Sequence, residues 1–354
     1  MTVQKNTKGK ITMRIAILAN DGSPIGVTMK SLYGDDGRVG VGGAEYALLT
    51  LCEAWHNVGH EVVLFNIVDP YQSRCDSPFE QRGVGEFDPE EGWDEVIIFR
   101  SPNHRSLSFH GHKTWFSTDQ YTIGKFDEFA PTVNKIVTIS PFHAQYFKRE
   151  YGIHNTITID LPVRIDDYAQ EIEKVPGRLI FTSVPDRGLP ILHAAWPLIK
   201  RDAPISTLVI TSDYRLWGAG ALNEQWRLKF AFDDRVQFLG AIPRRRLIDE
   251  EMKAEVLAYP GIYDELFCIS VAEAQVAGAF PITSAFGALP TTNMGIVLEG
   301  KPTDPKWVQK FVDTVVEVLY REDKSERNNI VRKAMKRFNV KNILDQWDEK
   351  VFNG

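Results

Sequence analysis

The chain has 354 residues, 43% of them apolar and 25% charged, with a net charge of −6. That length exceeds one ordinary core and suits two domains, and the acidic balance argues against a dedicated nucleic-acid binder, which carries a basic surplus. Three cysteines, Cys52, Cys75 and Cys268, are too few and too scattered for a disulfide framework and fit a reducing, cytoplasmic setting.

In chain order, short β-branched runs predict strands at 14–19, 61–66, 95–99, 113–116, 135–139 and 156–159. Between the first two, residues 43–59 carry Ala47, Leu48, Leu51, Cys52 and Trp55 at helical spacing, with Gly59 as a stop. A second helix is expected over 140–152, with Ser140 as cap, Pro141 in its first turn and Gly152 after its end. The rhythm then repeats. Strands are expected at 178–182, 206–211, 235–239, 255–259, 280–283 and 295–298, and helices over 187–201, 219–231, 243–253 and 268–278. From 303 onward the chain reads as helix, with a basic stretch at 332–338.

Buried strands alternating with helices call for parallel sheets covered on both faces. Two such series predict two doubly wound α/β domains, over 1–165 and 166–354, with the final helices packing back on the first. The charged segment 164–177 carries no strand pattern, ends in Pro-Gly and serves as the joint. Domains of this kind bind ligands at their strand ends, so a facing cleft is expected. No run reaches the about 20 apolar residues of a membrane span. The polar start "MTVQKNTKGK" lacks the apolar core of a secretory signal.

The stretch "DELFCISVAEAQVAG" (264–278) carries the chemistry. A loop leads into a helix whose first amides, at about Cys268 to Ser270, lack partners and face outward at the positive end of the dipole. A phosphate fits there, and small uncharged residues let it approach. Glu265 lies before the helix and Glu273 inside it, each able to accept hydrogen bonds from vicinal hydroxyls. One anion flanked by two polyols describes a nucleotide sugar. The plainer alternative is that Glu265 caps the helix and Glu273 is solvated on its outer face.

"YPGIYDELFCISVAEAQVAGAFPITS" (259–284) resembles the signature of family 4 of the retaining glycosyltransferases, which have the GT-B fold; Glu265, Phe267, Glu273, Ala274, Gly278 and Pro281 fill its places. Four more stretches are similar in the family's order: "GVGGAE" (40–45), "TISPFHAQYF" (138–147), "IDLPVRIDDY" (159–168) and "RVQFLGAIP" (235–243), the last resembling the strand that ends, at Gly240, beneath the base. The resemblance implies that Glu273 contacts the ribose, Glu265 the transferred sugar, and the amides of Phe267, Cys268, Ile269 and Ser270 the diphosphate.

The family's phosphate-neutralising pair corresponds to Ser183 and Arg187, so only one cation is retained, and Arg215 is a candidate to compensate. A surface arginine at a helix start is the bland reading of Arg187, but the dipole disfavours a cation there. In the glycine-rich loop 20–43, Gly42 and Gly43 are expected to approach the sugar phosphate closely. Thr118 stands where the family has a histidine, with Asp119 beside it as a residue that orients the acceptor or the sugar, or as a helix cap; His143 packs or caps.

The resemblance implies front-face displacement without a protein nucleophile. No D-x-D triplet stands at a strand end, so neither metal nor other cofactor is expected beyond the nucleotide sugar. The acceptor stays open among a glycan, a protein-linked glycan and a small molecule, with a nucleic acid disfavoured. The helix over 43–59 has no Lys or Arg, which argues against anionic membranes through that element, and "PRRRL" (243–247) reads as a solvated cluster. A nucleotide-sugar epimerase of the same fold and a nucleotide-sugar-binding protein with weak turnover are the rival functions.

Overall fold

The computed structural model describes residues 12–19, 26–35, 37, 40–66, 76–102, 104–120, 124–215, 219–321 and 323–353. They fall into two compact units. One draws on the stretches Met1–Asp36, Ala44–Pro162 and Val340–Gly354, the other on Gly37–Gly43 and Val163–Asn339.

The first unit contains strands β1 (Arg14–Leu18), β2 (Glu61–Asn66), β3 (Glu80–Gly83), β4 (Glu95–Phe99), β5 (Lys113–Phe116), β6 (Lys135–Thr138) and β7 (Ile157–Thr158). They form one sheet in the order β3-β2-β1-β4-β5-β6-β7. Every pairing is parallel. Parallel strands need covered faces, which is why β1, β2 and β4 read as unbroken apolar runs. The strand β3, "EQRG", had no such signal. It lies at the sheet edge, where charge is tolerated and blunts further pairing, and Arg82 there pairs with Glu91 at 2.8 Å.

Helix α1 (Gly43–Asn57) buries Tyr46, Leu48, Leu49, Leu51, Cys52 and Trp55, and Gly59 follows in the left-handed region at φ 105°. Helix α2 (Pro141–Tyr151) ends as its sequence dictates: Ser140 Oγ accepts from the His143 amide and Gly152 is left-handed. His143 itself is core, and burial depresses its pKa to about 3. The helix Val340–Trp347 also belongs to this unit, where Trp347 meets Trp55 and Phe116 edge to face.

The second unit contains β8 (Arg178–Phe181), β9 (Thr207–Ile210), β10 (Val236–Phe238), β11 (Val256–Tyr259), β12 (Phe280–Ser284) and β13 (Ile296–Leu298). The order is β10-β9-β8-β11-β12-β13, again wholly parallel. Its helices include α3 (Leu189–Asp202), α4 (Arg244–Lys253), α5 (Ile269–Val276), α6 (Pro305–Tyr320) and α7 (Ser325–Arg337). The helix expected from 187 starts at Leu189, after the 3-10 turn Pro185–Arg187. The one expected over 219–231 is a 3-10 turn, Gly220–Leu222, followed by the helix Asn223–Phe230. The joint segment contributes the short 3-10 turn Ile165–Tyr168.

In each sheet the strand order reverses beside the first strand, between β1 and β4 and between β8 and β11. Such a reversal leaves a crevice at the carboxyl ends of the strands.

Candidate functional site

At the reversal of the second sheet, the loop after β8 carries Ser183 and Arg187, and the loop after β11 carries Tyr263 and Glu265. The Ile262 amide donates to the Arg187 carbonyl at 3.0 Å, joining the two loops. Arg187 Nη1 donates to both oxygens of Glu265, at 3.0 and 2.9 Å. The Tyr259 hydroxyl donates to Glu265 Oε1 at 2.6 Å and lies 3.2 Å from Ser183 Oγ. The guanidinium lies 4.4 Å from the centre of the Tyr263 ring. Burial opposes the charge on Arg187, but Glu265 beside it holds its pKa above the usual arginine value. Burial and then Glu265 push the Tyr259 hydroxyl well up.

The Glu265 backbone is pinned as firmly as its side chain. The Ala288 amide donates to its carbonyl at 2.6 Å. Gly287, at φ 58°, packs so closely that a Cβ there would stand 2.3 Å from the Glu265 carbonyl oxygen. Glu265 therefore does not cap α5. It is 4% exposed and held by an arginine and a tyrosine.

The N-cap of α5 is Cys268, left-handed at φ 72° and making no side-chain cap bond. The Val271 and Ala272 amides donate to the Cys268 carbonyl, while those of Ile269 and Ser270 donate to nothing among the described residues. Those two residues are half-buried, and unpartnered amides at a helix start are where an anion binds. Gly43 reaches the same place: a Cβ on it would lie 2.6 Å from Ile269 Cγ2. Burial raises the Cys268 thiol pKa, so it is no nucleophile at neutral pH.

A left-handed backbone costs an L residue about 1–2 kcal/mol and is worst for a branched one. Exchanging Cys268 for Val, similar in size and apolar, is expected to cost about 2 kcal/mol. Exchange for Gly should stay within about 1 kcal/mol of wild type, because relief of strain offsets the lost buried thiol. Urea denaturation of both variants reads the difference; a stable Cys268→Val protein would show that the backbone conformation is not left-handed.

Glu273, one turn into α5, is 4% exposed, so the expected alternative of a solvated outer face is overturned. It forms a short ion pair with Arg244 Nη2. Arg244 belongs to the "PRRRL" cluster expected to be solvated; Arg245 and Arg246 are exposed, but Arg244 is buried. A guanidinium turned inward towards an acid 29 residues later has no local signal. Arg215 does not supply a free second cation either, since it pairs with Asp213 at 2.5 Å. Asp213 also accepts from the Ala241 amide at 2.6 Å. Burial opposes its ionisation, but these donors hold its pKa below the usual range. Gly240, at φ 68°, packs on this carboxylate, with a would-be Cβ 2.8 Å from Asp213 Oδ2.

In the first unit, Asp119 caps no helix among the described residues. It receives Arg100 Nε and Nη2, while Arg100 Nη1 donates to Glu45 at 2.7 Å. Arg100 follows β4 at φ 68°, its carbonyl held by Trp115 Nε1 at 2.7 Å. This cluster lies at the first sheet's reversal; Glu45 closes the "GVGGAE" stretch but had no role assigned to it, and Arg100 carried no motif.

Two Rossmann-like units, each a wholly parallel doubly wound sheet, constitute the GT-B fold. The chain matches no protein-family model and no curated protein by sequence. Its structural neighbours are GT-B glycosyltransferases. HepE of Anabaena, solved in complex with UDP and glucose, matches 97% of this chain and 100% of its own at 15% identity, TM-score 0.69. Sucrose-phosphate synthase of Thermosynechococcus elongatus matches 96% and 99%, at 16% identity and TM-score 0.67. A glycosyltransferase of Rickettsia africae matches 97% and 100%, at 12% identity and TM-score 0.71.

Proposed function

We propose that the protein transfers a sugar from a nucleoside-diphosphate sugar to a hydroxyl acceptor, with retention and without a metal, as in family 4 of the glycosyltransferases. The observation that carries this reading is the start of α5: unpartnered amides at Ile269 and Ser270, with Arg187 and Glu265 on one flank and Glu273 inside the helix. The solved complex of HepE with UDP and glucose supports it by analogy of fold.

In this mechanism the α5 amides and Arg187 hold the diphosphate, Glu265 and the Gly42–Gly43 backbone contact the transferred sugar and its phosphate, and Glu273 accepts the ribose hydroxyls. Gly240 ends the strand beneath the base, and Ser183 hydrogen-bonds a phosphate oxygen in place of a second cation. The acceptor oxygen attacks the anomeric carbon on the face from which the diphosphate leaves, and the departing phosphate oxygen takes the acceptor's proton. Asp119, in the first unit, orients the acceptor, a glycan, protein-linked glycan or small molecule. Positioning and stabilisation of diphosphate charge then supply the rate.

The test is to incubate the protein with a panel of UDP, GDP and ADP sugars, in chelator, and follow nucleoside diphosphate release with and without acceptor. Acceptor-dependent release supports the transferase, an isomerised free donor the epimerase, and binding without turnover the weak binding protein. A strict need for a divalent ion would count against the mechanism. Glu273→Gln, which keeps the side chain's shape, is expected to weaken donor binding about tenfold.

A further inference from the structure

Resting on the reading of α5 as a donor site, we infer that Arg244 is a positioning residue for that site: it supplies the countercharge that orients Glu273 towards the donor's ribose.

The carboxylate of Glu273 is nearly out of reach of water, and an unpartnered carboxylate in such a place is strongly disfavoured. Its partner has to come from the protein. Among the described residues, few charged groups face this region, Arg164 paired with Asp167 at 3.6 Å being one of them. From α4 come Arg244 and Glu251; from the turn Ile165–Tyr168 come Asp167 and Tyr168. Lys174 donates to the Ala254 and Ala277 carbonyls, at the ends of α4 and α5, at 2.8 Å each. Arg327, on α7, is engaged with Glu255. Arg244 is the cation that bonds Glu273, and it also lies 3.7 Å from Asp167.

Its placement is otherwise unfavourable. Arg244 is the first residue of α4, where the dipole repels a cation, and it is 6% exposed. The acids around it offset both costs. Glu251, 1% exposed, shares the neighbourhood and accepts from the Tyr168 hydroxyl at 2.9 Å. Burial and then the charge of Glu273 push the Glu251 carboxyl well above the usual range. Two buried carboxyls thus compete for one guanidinium, and the geometry awards it to the one inside α5. With one oxygen bonded to Arg244, the side chain is held in one rotamer, and its second oxygen is left for a hydroxyl.

The experiment compares wild type, Arg244→Met, Arg244→Lys and Arg244→Met/Glu251→Gln in the full chain. UDP, GDP and ADP binding is measured by calorimetry from pH 6 to 9, together with kcat and KM for the matching nucleotide sugar. The Met variant should weaken nucleotide binding and raise KM by about tenfold or more with kcat nearly kept. Lys should restore much of the affinity by restoring charge, and Glu251→Gln should restore part of it by removing a carboxyl that repels Glu273. If Arg244→Met folds less stably but binds nucleotide like wild type at every pH, Arg244 is a structural residue and the inference is overturned. If the Met variant is too unstable to measure, the Lys variant decides: near-wild-type affinity supports the role, and loss as deep as in Glu273→Gln overturns it. A wild type that binds none of the three nucleotides is a different result, and overturns the donor-site reading together with the role built on it.

Discussion

Arg187→Met is expected to destabilise the second unit by about 2–3 kcal/mol, below the ~3–5 kcal/mol of a fully buried pair, because the Glu265 side chain is 5% exposed but that of Arg187 is 26% exposed. Glu265, 4% exposed, would keep the Tyr259 hydroxyl but lose both bonds from Arg187 Nη1. The double variant Arg187→Met/Glu265→Met removes both charges and should recover most of that loss, because the attraction within such a pair is largely offset by desolvation. Stability and turnover should therefore separate: the double variant folds nearly as well as wild type yet releases no nucleoside diphosphate. Urea denaturation beside the release assay reads both. A double variant as unstable as the single one would show that the pair's partners, Tyr259 and Tyr263 among them, depend on its charge. Turnover in the double variant would remove Arg187 and Glu265 from the mechanism.

Trp347→Ala is the second large effect, expected to cost about 3–5 kcal/mol through the cavity left by a buried indole. Trp347 is 1% exposed and packs against Trp55 at 5.1 Å and Phe116 at 5.2 Å between ring centres. Its helix, Val340–Trp347, follows all of the second unit in sequence but belongs to the first. The substitution should therefore lower the unfolding transition of the first unit and leave the second unit's largely in place. Scanning calorimetry, compared with a variant altered only in the second unit such as Cys268→Val, tests this. A shift confined to the second unit's transition would contradict the assignment of that helix.

The elements that were legible share a local cause. The strands β1, β2 and β4 are built on continuous apolar runs because parallel sheets are covered on both faces. Helix α2 announced both its ends through Ser140, Pro141 and Gly152. Strand β3 was missed because its four residues are polar and its pairing comes from the sheet edge alone. Cys268 gave no warning of its positive φ, since the cap is imposed by the loop that also carries Glu265.

Local chemistry thus determined the alternating doubly wound pattern, the helix opening at 268–270 and the acids at 265 and 273. Periodicity, capping and the dipole act over a few residues and can be read directly. The partners of those acids were decided only in three dimensions. Arg187 finds Glu265 across 78 residues, Arg244 finds Glu273 across 29, and Arg100 finds Glu45 across 55. Ion pairing depends on distance through space and on burial, and neither is written in the spacing along a chain.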